Sequence, residues 1–569
     1  MIALRFCLLT AGAAALWAQI PAEDARNTNV PDTNTHFTMP VYRTLGEWEA
    51  HKKKLRAQIL FAAGLLPMPE KHPLHPAIFG RMERPGYSIE KVYLETLPGY
   101  YLCGNLFRPR GSAPKSPGVL VPHGHWNYGR LENQPLNSGP VRCINLALQG
   151  YVAFSYDMVG YDDTIQTPHD FGGPREQLWS FGPLGLQLWN SIRALDFLQS
   201  LPDVDPERIA MTGESGGGTQ TFLLTAVDDR VKYSAPVNMI SGSMQGGSQC
   251  ENAPGLRLDT FNVEFGAMMA PRPMLMIAAT GDWTMNTPRE EYPAIRSIYE
   301  LYDRAAYVET VQIDAPHNYN QASREAMYTF FNHRILGEAK DVKERHVEVE
   351  KLQDMLVWQG RPLPGNALNY EQLVEQWIAA AKKQSSETRD PAVFRERLRL
   401  ALATEWPDHV VSETEGDRVV LSRPGKGDRV SARRIGAGVP SVVVVGSSSS
   451  TGPALVVTAF QTGDGAAPRD RSPQFFTTFN RTDDQNRVQD ILTALAYLKQ
   501  EGARDLRVIG TGKASVWALF AAAAAPVTVA FEGSDDFAGE DKDFIERFFV
   551  PGIQRAGGIE AARRVLADR

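Results

Sequence analysis

The first half of the chain alternates short apolar runs with longer segments of helical spacing. Apolar runs bounded by Gly, Pro or Asp predict strands at residues 118–122, 151–156, 208–212, 233–237, 274–279 and 308–313. Apolar positions three and four apart predict helices between and after them, at residues 141–149, 185–201, 216–226, 292–302 and 322–336. Alternation of this kind predicts an α/β fold, with a mostly parallel sheet and helices on both faces.

Two elements of a different pattern precede this alternation. Residues 47–63 are rich in helix formers and are followed by Gly64, a residue typical of helix C-termini. Residues 88–97 and 101–107 alternate apolar and polar positions around Pro98-Gly99, which predicts a β-hairpin.

Composition places the chain among ordinary globular proteins. It has 569 residues, of which 43% are hydrophobic and 22% charged, so collagen, coiled-coil and disordered classes are excluded. The 59 Lys and Arg against 66 Asp and Glu give a formal net charge of −7. This balance argues against nucleic acid as a partner.

The N-terminus has the pattern of an export signal. Arg5 precedes an apolar stretch at residues 6–17, and Ala18 followed by Gln19 offers a cleavage point. We therefore predict a signal peptide over residues 1–18, a mobile segment over 19–44 and a secreted or periplasmic protein without a membrane span. The three remaining cysteines, an odd number, could form at most one bridge: Cys103, Cys143 and Cys250.

A serine lies at a sharp strand-to-helix transition. The strand at 208–212 runs into Gly213-Glu214-Ser215-Gly216-Gly217, which opens the helix at 216–226. This G-x-S-x-G pattern, between a strand and a helix, is typical of a nucleophilic serine at the N-terminus of a helix. The alternative is a glycine-rich turn with a solvated serine.

A base and an orienting acid follow in the order that such a serine needs. Asp282 comes just after the strand at 274–279, and His317 just after the strand at 308–313. Each alone could be a turn or solvent-exposed residue, but the shared position at strand ends favours a catalytic pair. His333 and His346 lie in or after the terminal helix, so His317 is the better base.

The strand at 118–122 ends in His123-Gly124-His125-Trp126. A turn at this place can supply a backbone amide to an oxyanion hole, paired with the amide of Gly216, the residue after the serine. The two histidines also suggest a metal site with Asp157 or His169 as a further ligand. No third ligand stands at a diagnostic spacing, so we predict neither a metal nor a cofactor.

Residues 45–337 resemble an α/β-hydrolase, nearest to bacterial acetyl xylan esterase-like and dienelactone-hydrolase-like members. The resemblance is carried by five segments: His123-Gly124-His125, 156–161, Gly213–Gly217, Gly281-Asp282 and Pro316-His317. It implies Ser215 as nucleophile, His317 as base, Asp282 as its orienting acid, and the His125 and Gly216 amides as oxyanion donors. Where many relatives carry Arg-Gly after the second strand, this chain has Met158-Val159-Gly160.

The second half is similar to the first but lacks its reactive residues. Residues 483–500 match the helix at 185–201, residues 441–446 match the oxyanion strand, and Gly512 stands where Ser215 would be. We predict a catalytic domain at 45–340, a helical linker at 341–400 and a degenerate, non-catalytic α/β-hydrolase-like domain at 401–569. The alternative is that any two βα units resemble each other.

The predicted reaction is ester hydrolysis through an acyl-enzyme. The substrate is expected to be a carbohydrate ester of the acetyl xylan type, on a plant polysaccharide, with Trp126, Trp179 and Trp283 as sugar-stacking residues. Three alternatives stay open: a general carboxylesterase, a peptidase of the prolyl-oligopeptidase type and a non-enzymatic polysaccharide-binding scaffold. The oligomeric state does not follow from the sequence.

Overall fold

The chain folds into helices and strands that agree closely with the predicted pattern. A computed structural model describes residues 24–111, 115–446, 452–463, 466–534 and 536–568. The predicted signal peptide and the first residues of the predicted mobile segment lie outside these ranges.

Eighteen strands lie in the described part of the chain. They are β1 Ala77–Arg84, β2 Tyr87–Leu97, β3 Tyr100–Pro109, β4 Ser116–Pro122, β5 Asn133–Gln134, β6 Asn137–Ser138, β7 Val152–Tyr156, β8 Val204–Glu214, β9 Tyr233–Val237, β10 Met274–Gly281, β11 Val308–Pro316, β12 Val411–Glu415, β13 Arg418–Ser422, β14 Val430–Ile435, β15 Val442–Val445, β16 Ala454–Thr458, β17 Leu506–Thr511 and β18 Val529–Ser534.

The described part of the chain also contains seventeen α-helices. They are α1 Ala25–Thr28, α2 Leu45–Ala62, α3 Gly139–Leu148, α4 Pro174–Leu178, α5 Pro183–Ser200, α6 Gly216–Val227, α7 Asn262–Ala267, α8 Glu291–Leu301, α9 Gln321–Phe331, α10 Leu352–Met355, α11 Tyr370–Glu387, α12 Pro391–Leu402, α13 Phe476–Phe479, α14 Asp483–Gln500, α15 Ala514–Ala524, α16 Asp541–Arg547 and α17 Gly558–Ala567. None of the helices in this part of the chain is long and apolar enough to cross a membrane.

The chain divides into two compact units. The larger contains the described residues of the ranges 31–404, 471–485 and 537–568, and the smaller contains those of the ranges 24–30, 405–470 and 486–536. Each unit is built around its own sheet.

The sheet of the larger unit has nine strands in the order β1-β2-β3-β7-β4-β8-β9-β10-β11. The pairs from β1 to β7 are antiparallel, and the pairs from β7 to β11 are parallel. All residues of β4 and β7 are buried, as expected of central strands covered by helices on both faces. The predicted mostly parallel sheet is confirmed, and so is the hairpin of β2 and β3, which turns at Gly99 with φ 74°.

The carboxyl ends of the parallel strands lie at one edge of the sheet, where open α/β sheets bind ligands. β4 ends before His123, β8 before Ser215, β10 before Asp282 and β11 before His317. The topology therefore gathers the predicted reactive residues at this edge.

The smaller unit contains a second sheet with seven strands in the order β12-β13-β14-β16-β15-β17-β18. Its first three pairs are antiparallel and its last three are parallel. This is the order and direction of strands β1 to β9 in the larger unit, with the short β5–β6 hairpin left out. The expected second α/β domain in the C-terminal region is present.

Candidate active site

Ser215 lies at the turn between β8 and α6, with φ 54° and ψ −122°. This region of backbone space is strained for a residue with a side chain. A Cβ on Gly213 would lie 2.6 Å from the carbonyl oxygen of Gly217, so the turn needs glycine beside the serine. Ser215 alone among residues 211–220 is not fully buried. The strained turn thus places its hydroxyl where a substrate can reach it.

His317 and Asp282 form a hydrogen-bonded pair. Nδ1 of His317 lies 2.8 Å from Oδ2 of Asp282, whose side chain is only 2% exposed. The other oxygen, Oδ1, accepts hydrogen bonds from the amide and the hydroxyl of Thr284 at 2.7 and 2.5 Å. Because Nδ1 carries the proton donated to the carboxylate, Nε2 keeps its lone pair. Nε2 is buried and has no hydrogen-bond partner in the described residues, so it is available to accept a proton.

Trp126 connects this pair to the serine. Its ring lies parallel to that of His317, with centroids 6.5 Å apart. A Cβ built on Gly124 would lie 3.4 Å from Nε1 of Trp126 and 3.0 Å from Cβ of Ser215. The structure therefore brings the predicted nucleophile, base and oxyanion loop to one place.

The two predicted oxyanion donors are neighbours. A Cβ on Gly216 would lie 2.7 Å from Cε1 of the His125 ring, so the loop after β4 rests directly on the first residue of α6. Neither the His125 nor the Gly216 amide donates a hydrogen bond to a group in the described ranges. Both N–H groups remain available to an oxyanion, and the N-terminal end of α6 adds its positive dipole.

Glu214, which precedes the serine, is a fully buried carboxylate that sequence reasoning missed. Its Oε2 accepts from Nη1 of Arg142 at 2.9 Å, and both side chains are inaccessible to solvent. Its Oε1 accepts from the amide of Gly124 at 3.2 Å, from Nε1 of Trp126 at 3.0 Å and from Nδ2 of Asn137 at 2.9 Å. One carboxylate thus holds the oxyanion loop against the strand that carries the serine. A charged residue at the end of an apolar strand was the available signal.

The three predicted sugar-stacking tryptophans have different surroundings. Trp126 and Trp283 both lie against His317, and the Trp283 ring centroid is 4.5 Å from that of the histidine. Trp179 is buried, and its Nε1 donates to Asp541 at 3.0 Å. The structure therefore brings two of the three to His317.

His123 lies beside a buried ion network. Its Nδ1 donates to the carbonyl of the next residue at 2.7 Å, and its Nε2 accepts from the amide of Met158 at 2.8 Å. Burial lowers its pKa to about 3, so the ring is neutral. Asp157 and Asp162, which lie near it, are paired with Arg130. Both ring nitrogens of His123 and at least one oxygen of each carboxylate thus bind protein groups.

Cysteine pairing is also settled for these residues. Cys103, Cys143 and Cys250 are all free and buried. Cys250 lies 3.0 Å from Nε2 of His125, a contact that the sequence did not predict.

Solved structures of esterases are similar to this chain. Methylesterase BT1017, a solved structure, is 30% identical, with a TM-score of 0.52 over 61% of this chain and 78% of its own. An acetyl xylan esterase from Paenibacillus sp. R4 is 20% identical, with a TM-score of 0.34 over 52% of this chain and 96% of its own.

A curated relative is YtaP of Bacillus subtilis (strain 168), provisionally assigned as a hydrolase. It is 26% identical over 176 residues, 29% of this chain and 57% of its own length. The chain spans about half the length of the curated relatives it matches. No family model matches the sequence. The strand order, the serine turn and the similarity to methylesterase BT1017 together show that this chain belongs to the α/β-hydrolase esterases.

Proposed function

We propose that this chain is an exported serine esterase in which Ser215, His317 and Asp282 form the catalytic triad. The observation that carries the proposal is the 2.8 Å bond between His317 and Asp282, which leaves Nε2 unprotonated beside the loop that contacts Ser215. The residues stand in the chain order of α/β-hydrolases, each directly after a strand of the sheet.

The proposed reaction has two steps. Oγ of Ser215 attacks the ester carbonyl while Nε2 of His317 takes its proton, and the amides of His125 and Gly216 donate to the resulting oxyanion. His317 then gives the proton to the leaving alcohol, and an acyl-enzyme remains. Water, deprotonated by the same nitrogen, attacks the acyl group, and the acid departs as Ser215 regains its proton. Asp282 orients the imidazole and stabilises its charged form.

The substrate class we propose is an ester on a carbohydrate polymer outside the cell. The predicted signal peptide supports an extracytoplasmic substrate, and Trp126 and Trp283 supply aromatic surface beside His317. An acetyl ester of the acetyl xylan type is the first candidate, because the motifs at 123–125, 213–217 and 316–317 resemble those of such esterases.

A methyl ester of an acidic polysaccharide is the second candidate. It is supported by the similarity to methylesterase BT1017, which is 30% identical and of which this chain covers 78%. The two candidates differ in which side of the ester is small. An acetyl esterase needs a closed acyl pocket, whereas a methylesterase holds a bulky acyl group and releases methanol.

The test is a matched pair of polymers treated with the purified protein. Acetylated xylan and methyl-esterified polygalacturonate are incubated separately, and acetate and methanol are quantified. Release from one polymer, lost in Ser215→Ala, identifies the substrate class. If neither polymer reacts while p-nitrophenyl esters are cleaved faster as the acyl chain lengthens from acetate to octanoate, the protein is a general carboxylesterase and the carbohydrate proposal fails.

A further inference from the structure

Three potential metal ligands from separate loops meet beside the predicted oxyanion hole. His125 follows β4, His169 lies in the loop between β7 and α4, and Cys250 lies in the loop after β9. One ligand atom from each, a ring nitrogen of each histidine and Sγ of Cys250, lies within 4.8 Å of the other two. Nε2 of His125 is 3.0 Å from the sulfur.

The His169 ring is held in place through one of its two nitrogens. Nδ1 of His169 donates to the carbonyl of Val159 at 2.6 Å, so its Nε2 carries the lone pair. That Nε2 is buried and has no hydrogen-bond partner within the described ranges. A ring held through one nitrogen by a backbone carbonyl, with the other nitrogen bare, is the usual setting of a metal-ligating histidine. The rings meet edge to face, with centroids 5.1 Å apart at 73°.

The three ligands suit a borderline-soft divalent cation. Burial lowers the pKa of His125, which keeps the ring neutral and able to ligate. Two imidazoles and one thiolate are ligands that Zn²⁺ prefers. Oγ of Ser248 lies 3.1 Å from Nε2 of His125 and 2.9 Å from Cys250 Sγ, so a hydroxyl is within reach of the fourth position.

We propose that His125, His169 and Cys250 form a zinc site. Binding replaces the S–H bond of Cys250 with an S–Zn bond, and the proton passes to solvent. No oxidation or reduction is involved. Without a metal, hydrogen bonds join Ser248, Cys250 and His125. The cation replaces these hydrogen bonds.

The site has a consequence for catalysis that rests on the proposed function. The His125 ring packs on Gly216, and the His125 amide is one of the two proposed oxyanion donors. A cation on this ring ties the loop after β4 to the loops that contain His169 and Cys250. The zinc would therefore fix the oxyanion hole without touching the ester.

The test begins with the metal itself. The full-length protein is stripped with a chelator and titrated with Zn²⁺, and bound zinc is counted by elemental mass spectrometry. X-ray absorption at the zinc edge is expected to show one sulfur near 2.3 Å and two nitrogens at about 2.0–2.1 Å. One zinc per chain with this ligand set supports the site. No retained zinc, or zinc with only nitrogen and oxygen ligands, overturns it.

Variants locate the site. Cys250→Ala and His169→Ala should each weaken zinc binding at least about 100-fold. Cys143→Ala, which changes another fully buried cysteine of the larger unit, should bind zinc like the wild type. Circular dichroism of each variant checks its folding. The X-ray absorption spectrum of the wild type still tests the ligand set where a variant unfolds. Equal zinc binding by folded Cys250→Ala and Cys143→Ala would place the metal elsewhere and refute the assignment.

Activity separates this inference from the proposed function. Ester hydrolysis without zinc binding would refute the metal site and leave the esterase standing. Zinc bound with the expected ligands but no ester hydrolysis would refute the proposed function and leave the metal site standing.

Discussion

The amide of Gly124 donates a 3.2 Å hydrogen bond to Oε1 of Glu214, the residue that precedes Ser215. The loop of the proposed oxyanion hole is therefore fixed to the strand end that carries Ser215, the proposed nucleophile, through a carboxylate paired with Arg142. Arg142 in turn lies over the ring of Tyr319, 4.2 Å from its centroid, two residues beyond His317. The loops that carry Gly124, Ser215 and His317 thus share one buried polar network.

Glu214→Gln should lower kcat by about 10- to 100-fold with little change in KM, because a misplaced oxyanion donor weakens binding of the transition state more than of the ester. The amide side chain would direct its own N–H₂ group towards one of the donors that now bind the carboxylate. Steady-state kinetics on a soluble ester measure the effect.

Glu264→Gln is the matched control, since Glu264 is also buried but binds Tyr42 and His51. Its kcat should remain near that of the wild type. An equal loss in both variants would mean that Glu214 acts only through general stability.

Gly124→Ala should reduce kcat by about 100-fold. The added Cβ would lie 2.9 Å from the carbonyl oxygen of Glu214 and 3.0 Å from Cβ of Ser215, so the loop must shift. Gly46→Ala, where a Cβ meets nothing within 4 Å, should have wild-type kinetics. Normal activity of the Gly124 variant would show that this loop does not abut the reacting serine.

Asp282→Asn should lower kcat by about 10⁴-fold, and His317→Ala by at least as much. Asp282→Asn removes the carboxylate that fixes the imidazole, and His317→Ala removes the base itself. His333→Ala, which changes an exposed histidine, should leave kcat unchanged. An inactive His333 variant beside an active His317 variant would overturn the choice of base.

Asp163→Asn should destabilise the larger unit by about 3–5 kcal/mol, because it breaks a buried ion pair. Asp163 accepts from Nη2 of Arg130 at 2.6 Å and from the amides of Val357 and Trp358 at 2.8 and 3.0 Å. Urea unfolding followed by tryptophan fluorescence gives the free energy of unfolding.

The control is Asp205→Asn, whose pair with Arg208 is partly exposed and should contribute at most about 1 kcal/mol. Similar midpoints for the two variants would contradict the structural role given to Asp163.

Much of the larger unit could be predicted because its parallel strands are buried on both faces and appear as continuous apolar runs. β9 occupies the predicted residues 233–237, and β4 and β10 exceed their predicted ranges by only two residues. β1 was missed, because none of its residues is fully buried and three of its side chains are charged. β12 was missed as well, because it is exposed throughout.

The positions of Ser215, Asp282 and His317 at strand ends could be predicted because each follows an apolar strand in a fixed order. Side-chain contacts between distant loops could not be predicted. Glu214 binds Arg142 and Asn137, and Cys250 contacts His125. No sequence spacing links these partners. The predicted domain boundaries follow sequence position alone, whereas residues 471–485 and 537–569 cluster with the larger unit.

The comparison of the two sheets supports our proposal that the second half is a degenerate copy. Gly512, at the end of β17, has φ 56°, close to the 54° of Ser215 at the end of β8. A glycine adopts this φ without strain and supplies no hydroxyl.

The most direct test of the central claim is covalent labelling of Ser215. The protein is treated with a p-nitrophenyl phosphonate, digested and analysed by mass spectrometry, and hydrolysis of a soluble ester is measured in parallel. We predict a single phosphonylated serine, Ser215, and a Ser215→Ala variant that is folded, unlabelled and at least about 10⁴-fold less active. A label on another residue, or a Ser215→Ala variant that keeps a tenth of the activity, would contradict the account.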